Sequence, residues 1–383
     1  MKAAIVVIAY NRPKALQRLL SSINEASYFR KDIPLIISID KANNQCDVLK
    51  VANDFKWTFG EKTVRTYSTR QGLRKHVLQC GDLVNKFENV IILEDDLIVS
   101  PSYYTYVDQA LEFYKNCDKI AGIALYSHEW NGYANKNFAP IIDKYDTYMG
   151  QFSITWGQCW TRESWLKFKT WYINQKVSLG NNEYLPQKIN RWPQQSWGKY
   201  FITYIVAMDK YYVIPRISLS TNFSEIGEDV QAQDSDHQVR LLYDNKQMFN
   251  FAPFEFAEKY DVFFENTRLQ SQFPSEMSIE GIDIDLNGEG RRNINNRYVL
   301  TTLVLPYKII NSYGLVLRPI EMNIIKAVQG NDIYLYDTHI CAKKKASNID
   351  RIYRYEVRGI SLFKLFEYII NAAIIRIKHK NQK

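Results

Sequence analysis

The chain has 383 residues, of which 46% are hydrophobic and 23% charged, a composition typical of a globular protein with a sizeable core. Its net charge of +8 comes from residues 341–383, where 11 Lys and Arg accompany 3 Asp and Glu, so the rest of the chain is neutral. We therefore expect no nucleic-acid partner, and the length allows one large domain with an appendage, or two domains.

Five cysteines are spread along the chain without CxxC spacing: Cys46, Cys80, Cys117, Cys159 and Cys341. This pattern argues against a disulfide framework or a zinc site and indicates a reducing compartment. The opening residues do not have the pattern of a signal peptide, and no apolar run reaches about 20 residues. The sequence therefore predicts a cytoplasmic protein without a membrane-spanning helix.

Three short apolar segments predict strands at 3–10, 34–40 and 89–96. Each is rich in Ile, Leu or Val and bounded by polar residues, which is typical of parallel strands buried on both faces. Apolar residues at helical spacing follow each strand or precede the next: Leu16, Leu19, Leu20 and Ile23, then Leu73, Val77, Cys80 and Val84, then Tyr104, Val107 and Leu111. The alternation predicts a doubly wound α/β sheet, mostly parallel, with helices on both faces.

Polar residues follow each predicted strand: Tyr10, Asn11 and Arg12, then Asp40, then Glu94, Asp95 and Asp96. Sheets of this kind bind ligands beyond the carboxyl ends of their strands. Adjacent carboxylates repel unless a cation or hydrogen-bond donors compensate them, and Mg²⁺ or Mn²⁺ typically takes one or two carboxylates together with substrate phosphates. The position favours a metal site that serves a nucleotide diphosphate, although the same three acids could form a solvated turn.

Two other nucleotide-binding classes are excluded by the loop after the first strand. A P-loop ATPase requires GxxxxGK[ST] there, and a sugar-nucleotide pyrophosphorylase requires a glycine-rich loop. The first strand runs instead into AYNRPK, which contains no glycine.

The C-terminal tail carries an amphipathic pattern. Its apolar residues form a wide helical face: Leu362, Leu365, Phe366, Ile369, Ile370, Ala373, Ile374 and Ile377. Lys364, Arg376, Lys378 and Lys380 accompany this face. Two interpretations stay open, a helix lying in an anionic membrane interface on the inner face of the cell membrane, or a helix docked on the core with a solvated basic edge.

A family resemblance is visible in three segments, VVIAYNRPKALQRLLSSI, IISID and IILEDDLIVSPSYYTYVDQAL. They resemble the GT-A nucleotide-sugar glycosyltransferases, in particular the family of the N-acetylglucosaminyltransferase that initiates complex N-glycans, and bacterial polysaccharide relatives. The resemblance covers about 1–240, closely to 115 and loosely after. It implies a GT-A domain at 1–240, with a nucleotide-binding half at 1–115 and an acceptor half at 116–240, followed by an accessory region at 241–383.

The resemblance also implies roles for single residues. Asp96 would be the metal ligand, with His237 as a second metal or diphosphate ligand, unless His237 is a solvated loop residue. The implied donor-binding set is Tyr10, Asn11, Arg12, Asp40, Gly72, Lys75, Glu94 and Asp95. Trp156 and Trp160 would bind the acceptor.

The general base is the point at which this chain departs from the family. Eukaryotic members carry an acidic pair before a Trp, whereas Gln195 and Ser196 stand here. The candidates left for deprotonating the acceptor are Glu228, Asp229 and Glu163, and inversion or retention stays open.

The resemblance implies a Mn²⁺- or Mg²⁺-dependent hexosyl- or N-acetylhexosaminyltransferase. Its donor would be a nucleotide-diphosphate sugar, with UDP favoured, and its acceptor a saccharide or lipid-linked saccharide in capsule or surface-polysaccharide synthesis. The alternative is a catalytically degenerate protein of the same fold that binds nucleotide sugars or glycans.

Overall fold

The structure is a computed structural model that describes residues 2–175, 179–223, 237–274, 279, 281–289, 295–343, 349–357, 359 and 361–380. The chain forms two compact units, Met1–Phe273 with Glu289–Asn293, and Pro274–Gly288 with Ile294–Lys383.

The first unit contains these strands: β1 (Ala4–Ala9), β2 (Leu35–Ile39), β3 (Lys62–Thr66), β4 (Asn89–Glu94), β5 (Leu97–Val99), β6 (Ile120–Ala124), β7 (Trp130–Asn131), β8 (Lys136–Asn137), β9 (Thr147–Gly150), β10 (Gln158–Thr161), β11 (Tyr211–Pro215), β12 (Ser220–Asn222) and β13 (Lys259–Tyr260). Its helices are α1 (Pro13–Glu25), α2 (Gln45–Asp54), α3 (Leu73–Gly81), α4 (Val84–Phe87), α5 (Tyr103–Phe113), α6 (Arg162–Asn174), α7 (Gln187–Asn190) and α8 (Trp197–Ala207), and a 3₁₀ turn covers Leu269–Gln272.

Nine of these strands form one mixed sheet in the order β13-β9-β11-β6-β10-β4-β1-β2-β3. The pairs that join β4, β1, β2 and β3 are all parallel, whereas β10 lies antiparallel between β4 and β6. The predicted strands at 3–10, 34–40 and 89–96 are β1, β2 and β4. The predicted α/β class is therefore confirmed, with a sheet that is more mixed on the β10 side than the sequence indicated.

Helices cover both faces of the sheet because each presents an apolar stripe to it. On one face α1, α2 and α5 bury Leu16, Val48 and Tyr106. On the other face α3, α6 and α8 bury residues such as Trp165 and Phe201. Helix α1 begins with Pro13 in its first turn, and the predicted stripe Leu16, Leu19, Leu20 and Ile23 is fully buried.

The first unit extends past the predicted boundary at residue 240. Strand β13 joins the sheet beside β9, and Ser100 Oγ donates a hydrogen bond to Leu242 O. The ring of Phe251 packs against Tyr106 with centroids 5.6 Å apart. Residues 241–273 therefore belong to the first unit, because β13 joins its sheet and Phe251 packs against α5.

The second unit contains β14 (Ile282–Asp285), β15 (Tyr298–Thr301), β16 (Tyr307–Tyr313), β17 (Ile333–Cys341), α9 (Met322–Ile325), α10 (Ile349–Val357) and α11 (Leu362–Lys380). Its sheet has the order β14-β15-β17-β16. Helix α10 is held where Tyr355 Oη donates to Leu317 O at 2.7 Å. Among the helices that the structure describes, none combines the length and apolar character that crossing a bilayer requires.

Candidate active site

A cavity of about 320 Å³ opens where β1, β2 and β4 end. Ten of the fifteen predicted site residues line it: Tyr10, Asn11, Arg12, Asp40, Gly72, Glu94, Asp95, Asp96, Trp156 and His237. Parallel strands bring their carboxyl ends to one edge, so residues far apart in sequence meet there. The expected convergence of the strand-end residues is thus what the fold produces.

Glu94 ends β4, and Asp95 and Asp96 form the turn between β4 and β5. Strand β5 pairs antiparallel with β12, and Phe223 N donates to Asp96 O at 2.8 Å. This long-range antiparallel pairing fixes the backbone of the acidic turn. It also brings Asn222 to the wall of the cavity.

Arg12 compensates two of these carboxylates. Its Nη2 pairs with Asp95 Oδ1 and lies 3.2 Å from Asp96 Oδ2. Burial of Arg12 acts to lower its pKa, but the charges and hydrogen bonds of both acids together raise that pKa. Arg12 therefore stays charged in the cavity wall.

Asp95 is the most deeply buried of the three acids, with 3% of its surface exposed. Burial raises the pKa of Asp95 to about 6, opposed by the charge of Arg12 and assisted by that of Asp96. A backbone hydrogen bond with Tyr10 also favours the ionised form.

The acidic turn has unused oxygen atoms that fit a hard divalent cation. Asp95 Oδ2 and Asp96 Oδ1 are buried and have no hydrogen-bond partner among the described residues. Carboxylate oxygens are the ligands that Mg²⁺ and Mn²⁺ prefer. Within the described ranges no group of three or more His, Cys, Asp and Glu is arranged to hold a metal. A cation here would therefore take its further ligands from a substrate or from water.

Asp40 holds the loop on the opposite wall. Its Oδ1 accepts hydrogen bonds from Gln71 N and Lys41 N, both at 2.8 Å, and its Oδ2 accepts one from Gly72 N at 2.9 Å. Gly72 has φ +76°, a conformation that favours glycine, and it immediately precedes α3. Asp40 thus has a positioning role visible in its contacts, and its predicted contact with a nucleoside stays a prediction.

Two further residues of this wall were not predicted. His76, on the first turns of α3, makes a 2.7 Å hydrogen bond with Ser38 Oγ, and burial lowers its pKa to about 4. Arg70 lies over the ring of Tyr10 at 5.1 Å. His76 is therefore neutral at physiological pH, and Arg70 adds positive charge beside the Tyr10 ring.

An aromatic pair forms the third wall. The rings of Trp156 and His237 stack at 4.6 Å, and Tyr126 Oη donates to His237 O at 3.0 Å. Thr155, Ser196 and Trp197 also line the cavity, and the last two lie at the N-terminal end of α8. The described lining of the cavity has its acids at the strand ends, and none at the start of α8.

Three predicted residues lie elsewhere. Trp160 is fully buried against Trp165 and Phe201 in the core, so its assignment to the acceptor is wrong for this fold. Glu163 pairs with Lys167 at the edge of a different cavity, of about 300 Å³. Lys75 is exposed on α3 and does not line the active-site cavity.

The other two candidate bases, Glu228 and Asp229, lie outside the described residues. Their predicted role stays a prediction.

No protein-family model matches the chain, and no curated protein matches it. Solved structures match it in part. TarS 1–349 of S. aureus in complex with UDP matches 57% of this chain and 60% of its own, at 13% identity and a TM-score of 0.39. The mannosyltransferase PcManGT from Pyrobaculum calidifontis, in complex with GDP-Man and Mn²⁺, matches 57% of this chain and 58% of its own, at 12% identity and a TM-score of 0.33.

GalNAc-T7 with UDP, GalNAc and Mn²⁺ matches 56% of this chain and 43% of its own, at 12% identity and a TM-score of 0.38. This chain thus matches about three fifths of the length of TarS 1–349 and less of GalNAc-T7. Likeness of this degree carries no conclusion about substrates, and we argue function from the cavity itself.

Proposed function

We propose that the protein is a glycosyltransferase that moves a sugar from a nucleotide-diphosphate donor, UDP favoured, to a hydroxyl of a saccharide acceptor. The observation that carries this proposal is the meeting of Arg12, Asp95 and Asp96 in one cavity at the ends of β1 and β4. A buried acid and a half-buried acid, each with an unpaired oxygen beside a basic side chain, suit a charged ligand that brings its own cation. The family resemblance of residues 1–240 supports the same proposal.

The cavity's residues divide the work of such a transfer. The bond between the sugar C1 and the diphosphate oxygen breaks, and its electron pair leaves with the diphosphate. Arg12 would balance that negative charge, since it lies in the lining of the same cavity. Asp96 and Asp95 would hold a divalent cation, which neutralises the departing phosphate. The acceptor oxygen forms the new bond to C1, and its proton passes to a base.

Glu228 and Asp229 are the proposed candidates for that base. The described lining has no carboxylate at the start of α8, where the resemblance would put one. Glu163 no longer competes, because it lies at a different cavity. Ser196 and Trp197 would position the acceptor, because neither side chain is a base that could take its proton.

The test is donor binding and turnover in the Asp96→Ala variant. We expect wild type with Mn²⁺ to be stabilised by one of a panel of uridine, guanosine and thymidine diphosphate sugars in a thermal-shift assay, and to release nucleoside diphosphate. Asp96→Ala should lose the Mn²⁺-dependent shift and at least about 100-fold in turnover, because metal stabilisation of charge is worth several kcal/mol.

Asp54→Ala, at the exposed end of α2, is the matched control and should behave as wild type. Full turnover in a folded Asp96→Ala protein would rule out the metal role. A wild-type protein that binds the donor without any nucleoside diphosphate release, with every acceptor tried, would favour the glycan- or nucleotide-sugar-binding alternative.

We further propose that the acceptor is lipid-linked and that α11 brings the enzyme to an anionic membrane surface, where capsule or surface polysaccharide is assembled. Large apolar side chains recur on one side of α11 and are exposed: Leu362, Phe366, Ile370 and Ile374. The chain's net positive charge lies in the same region. Exposed apolar residues next to basic ones favour a helix lying in a charged interface.

A further inference from the structure

A second open cavity lies in the first unit, between the C-terminal end of α6, the segment 179–190 and α8. It has a volume of about 570 Å³, and we call it the α6–α8 groove. Its wall includes Trp171, Asn181, Tyr184, Gln187 and Thr203. None of these was predicted as a site residue from the sequence.

The groove offers the chemistry that recognises uncharged sugars. Tyr184 is 64% exposed, and Trp171, which is half-buried, lines the same groove. The negative face of an aromatic ring attracts the C–H bonds on one face of a sugar, and side-chain amides can both donate to and accept from hydroxyls. Asn181 and Tyr184 are both exposed, so their side chains are accessible to a ligand.

The loop that presents these side chains is held in place by its own hydrogen bonds. Asn182 N donates to Asn190 Oδ1 at 3.0 Å, and Asn190 Nδ2 donates to Asn182 O at 2.9 Å. Tyr184 N donates to Asn182 Oδ1 at 2.9 Å. The ring of Tyr184 therefore stands on a fixed backbone, which lowers the entropy that binding would cost.

The charge of the groove disfavours phosphates and nucleic acids. Lys199 is the single lysine in its described lining, and it is only 2% exposed. Its Nζ donates to Asn190 O and Trp192 O, both at 2.9 Å, so it serves the fold. Glu183 is the single acid in the same lining. Such a surface matches a neutral ligand.

The groove and the active-site cavity share α8 and the segment before it. Trp197 lines the cavity, and Lys199 and Thr203 line the groove. The two sites therefore border the same helix, on different sides of it, because residues two apart on a helix do not face the same way. Gln194 Nε2 also donates to Leu179 O at 3.0 Å, which ties the groove's loop to the segment that leads into α8.

We propose that the α6–α8 groove binds the non-reacting part of an uncharged oligosaccharide acceptor, while the end that is extended reaches the cavity. This inference rests on the proposed glycosyltransferase function. It implies that the enzyme lengthens a chain that already contains several sugars, rather than a single monosaccharide.

The experiment measures binding of the full-length protein to an array of uncharged oligosaccharides of two to six rings, without donor or metal. We expect wild type to bind a subset of them more tightly as the number of rings increases. Tyr184→Ala and, as a second variant, Asn181→Ala should each weaken that binding about tenfold, the effect of one lost contact. Tyr243→Ala is the matched control and should bind as wild type, because Tyr243 is also an exposed tyrosine of the first unit but does not line the groove.

Failure of the groove and failure of the proposed function give different results. Asp96→Ala should keep the binding to the oligosaccharide array and lose the donor-induced thermal shift. Tyr184→Ala should keep the donor-induced thermal shift and weaken the binding to the array. Wild type that binds no uncharged oligosaccharide, or a Tyr184→Ala protein that binds as tightly as wild type, would overturn the proposal for the groove. Absence of a donor shift in wild type, with Tyr184-dependent glycan binding intact, would instead contradict the glycosyltransferase.

Discussion

Asp40 and Asp95 have a similar sequence context but differ in the hydrogen bonds that their carboxylate oxygens accept. Asp40 and Asp95 both follow buried parallel strands, and both are almost fully buried. Asp40 uses both of its oxygens to hold the backbone of the loop before α3, whereas Asp95 leaves Oδ2 without a hydrogen bond among the described residues. The unused oxygen of Asp95 is the feature that indicates a ligand, because a buried acceptor without a partner costs stability.

The titration of His76 gives a prediction about stability. Burial lowers the pKa of His76 from 6.5 to about 4, and the nearby charge of Asp40 only partly opposes this. Between these values the unfolded chain binds a proton that the folded chain excludes, so this contribution is full above pH 6.5 and lost as pH falls towards 4. We expect His76→Gln to reduce the loss of unfolding free energy between pH 7 and pH 5 by about 2 kcal/mol in urea titrations.

His339→Gln is the control for this experiment, since His339 is exposed in the second unit. It should leave the pH dependence as it is in wild type. A His76→Gln protein with an unchanged slope between pH 7 and pH 5 would show that His76 is not neutral in the folded state.

At the level of elements, the strands and helices that could be predicted from the sequence are those with a local apolar pattern. The apolar runs of β1, β2 and β4 and the stripe of α1 follow from neighbouring residues alone. Strand β10 could not be placed, because its antiparallel position between β4 and β6 depends on pairings across many residues. Trp160 lies on that strand, and the same missing pairing explains why its burial in the core was not foreseen.

The packing of α3 against α6 gives a second stability prediction. A Cβ at Gly81 would lie 2.1 Å from Trp165 Cζ2, and Trp165 is fixed by its Nε1 hydrogen bond to Asp82 Oδ1 at 2.8 Å. We expect Gly81→Ala to lower the unfolding free energy by about 1–3 kcal/mol, since overpacking outweighs the helix propensity that alanine adds. Denaturant unfolding followed by tryptophan fluorescence measures this change.

Gly132→Ala is the matched substitution, because its Cβ would meet no atom closer than 3.9 Å. It should change the unfolding free energy by less than about 0.5 kcal/mol. Equal midpoints for the two variants would mean that Trp165 moves aside at little cost.

At the scale of the whole molecule, the predicted division at residue 240 differs from the observed one at 273. The sequence between them has no single periodic pattern, and its place in the first unit comes from contacts with α5 and β9. The basic tail, by contrast, was recognisable from composition alone and belongs to the second unit.

The membrane proposal is tested on the full-length chain by sedimentation with lipid vesicles. Phe366 on α11 is 62% exposed, and we expect Phe366→Asn to weaken binding to vesicles that contain about one third phosphatidylglycerol. Binding of wild type should fall at high salt and be weak on pure phosphatidylcholine, because basic residues add about 1 kcal/mol each at an anionic surface.

Phe29→Asn, an equally exposed site in the first unit, should leave vesicle binding unchanged. Wild type that ignores anionic vesicles but forms a dimer in solution, which Phe366→Asn dissociates, would identify a second copy as the partner of α11 instead.

The pairing of β5 with β12 has a consequence for how the protein is made. The two strands are separated by about 120 residues of chain, so β1, β2 and β4 leave the ribosome long before β12 does. Until residue 222 has been synthesised, the turn that carries Asp95 and Asp96 lacks the neighbour that fixes its backbone. We therefore expect the nascent chain to form its first parallel strands early and to order its acidic turn only when most of the first unit has emerged.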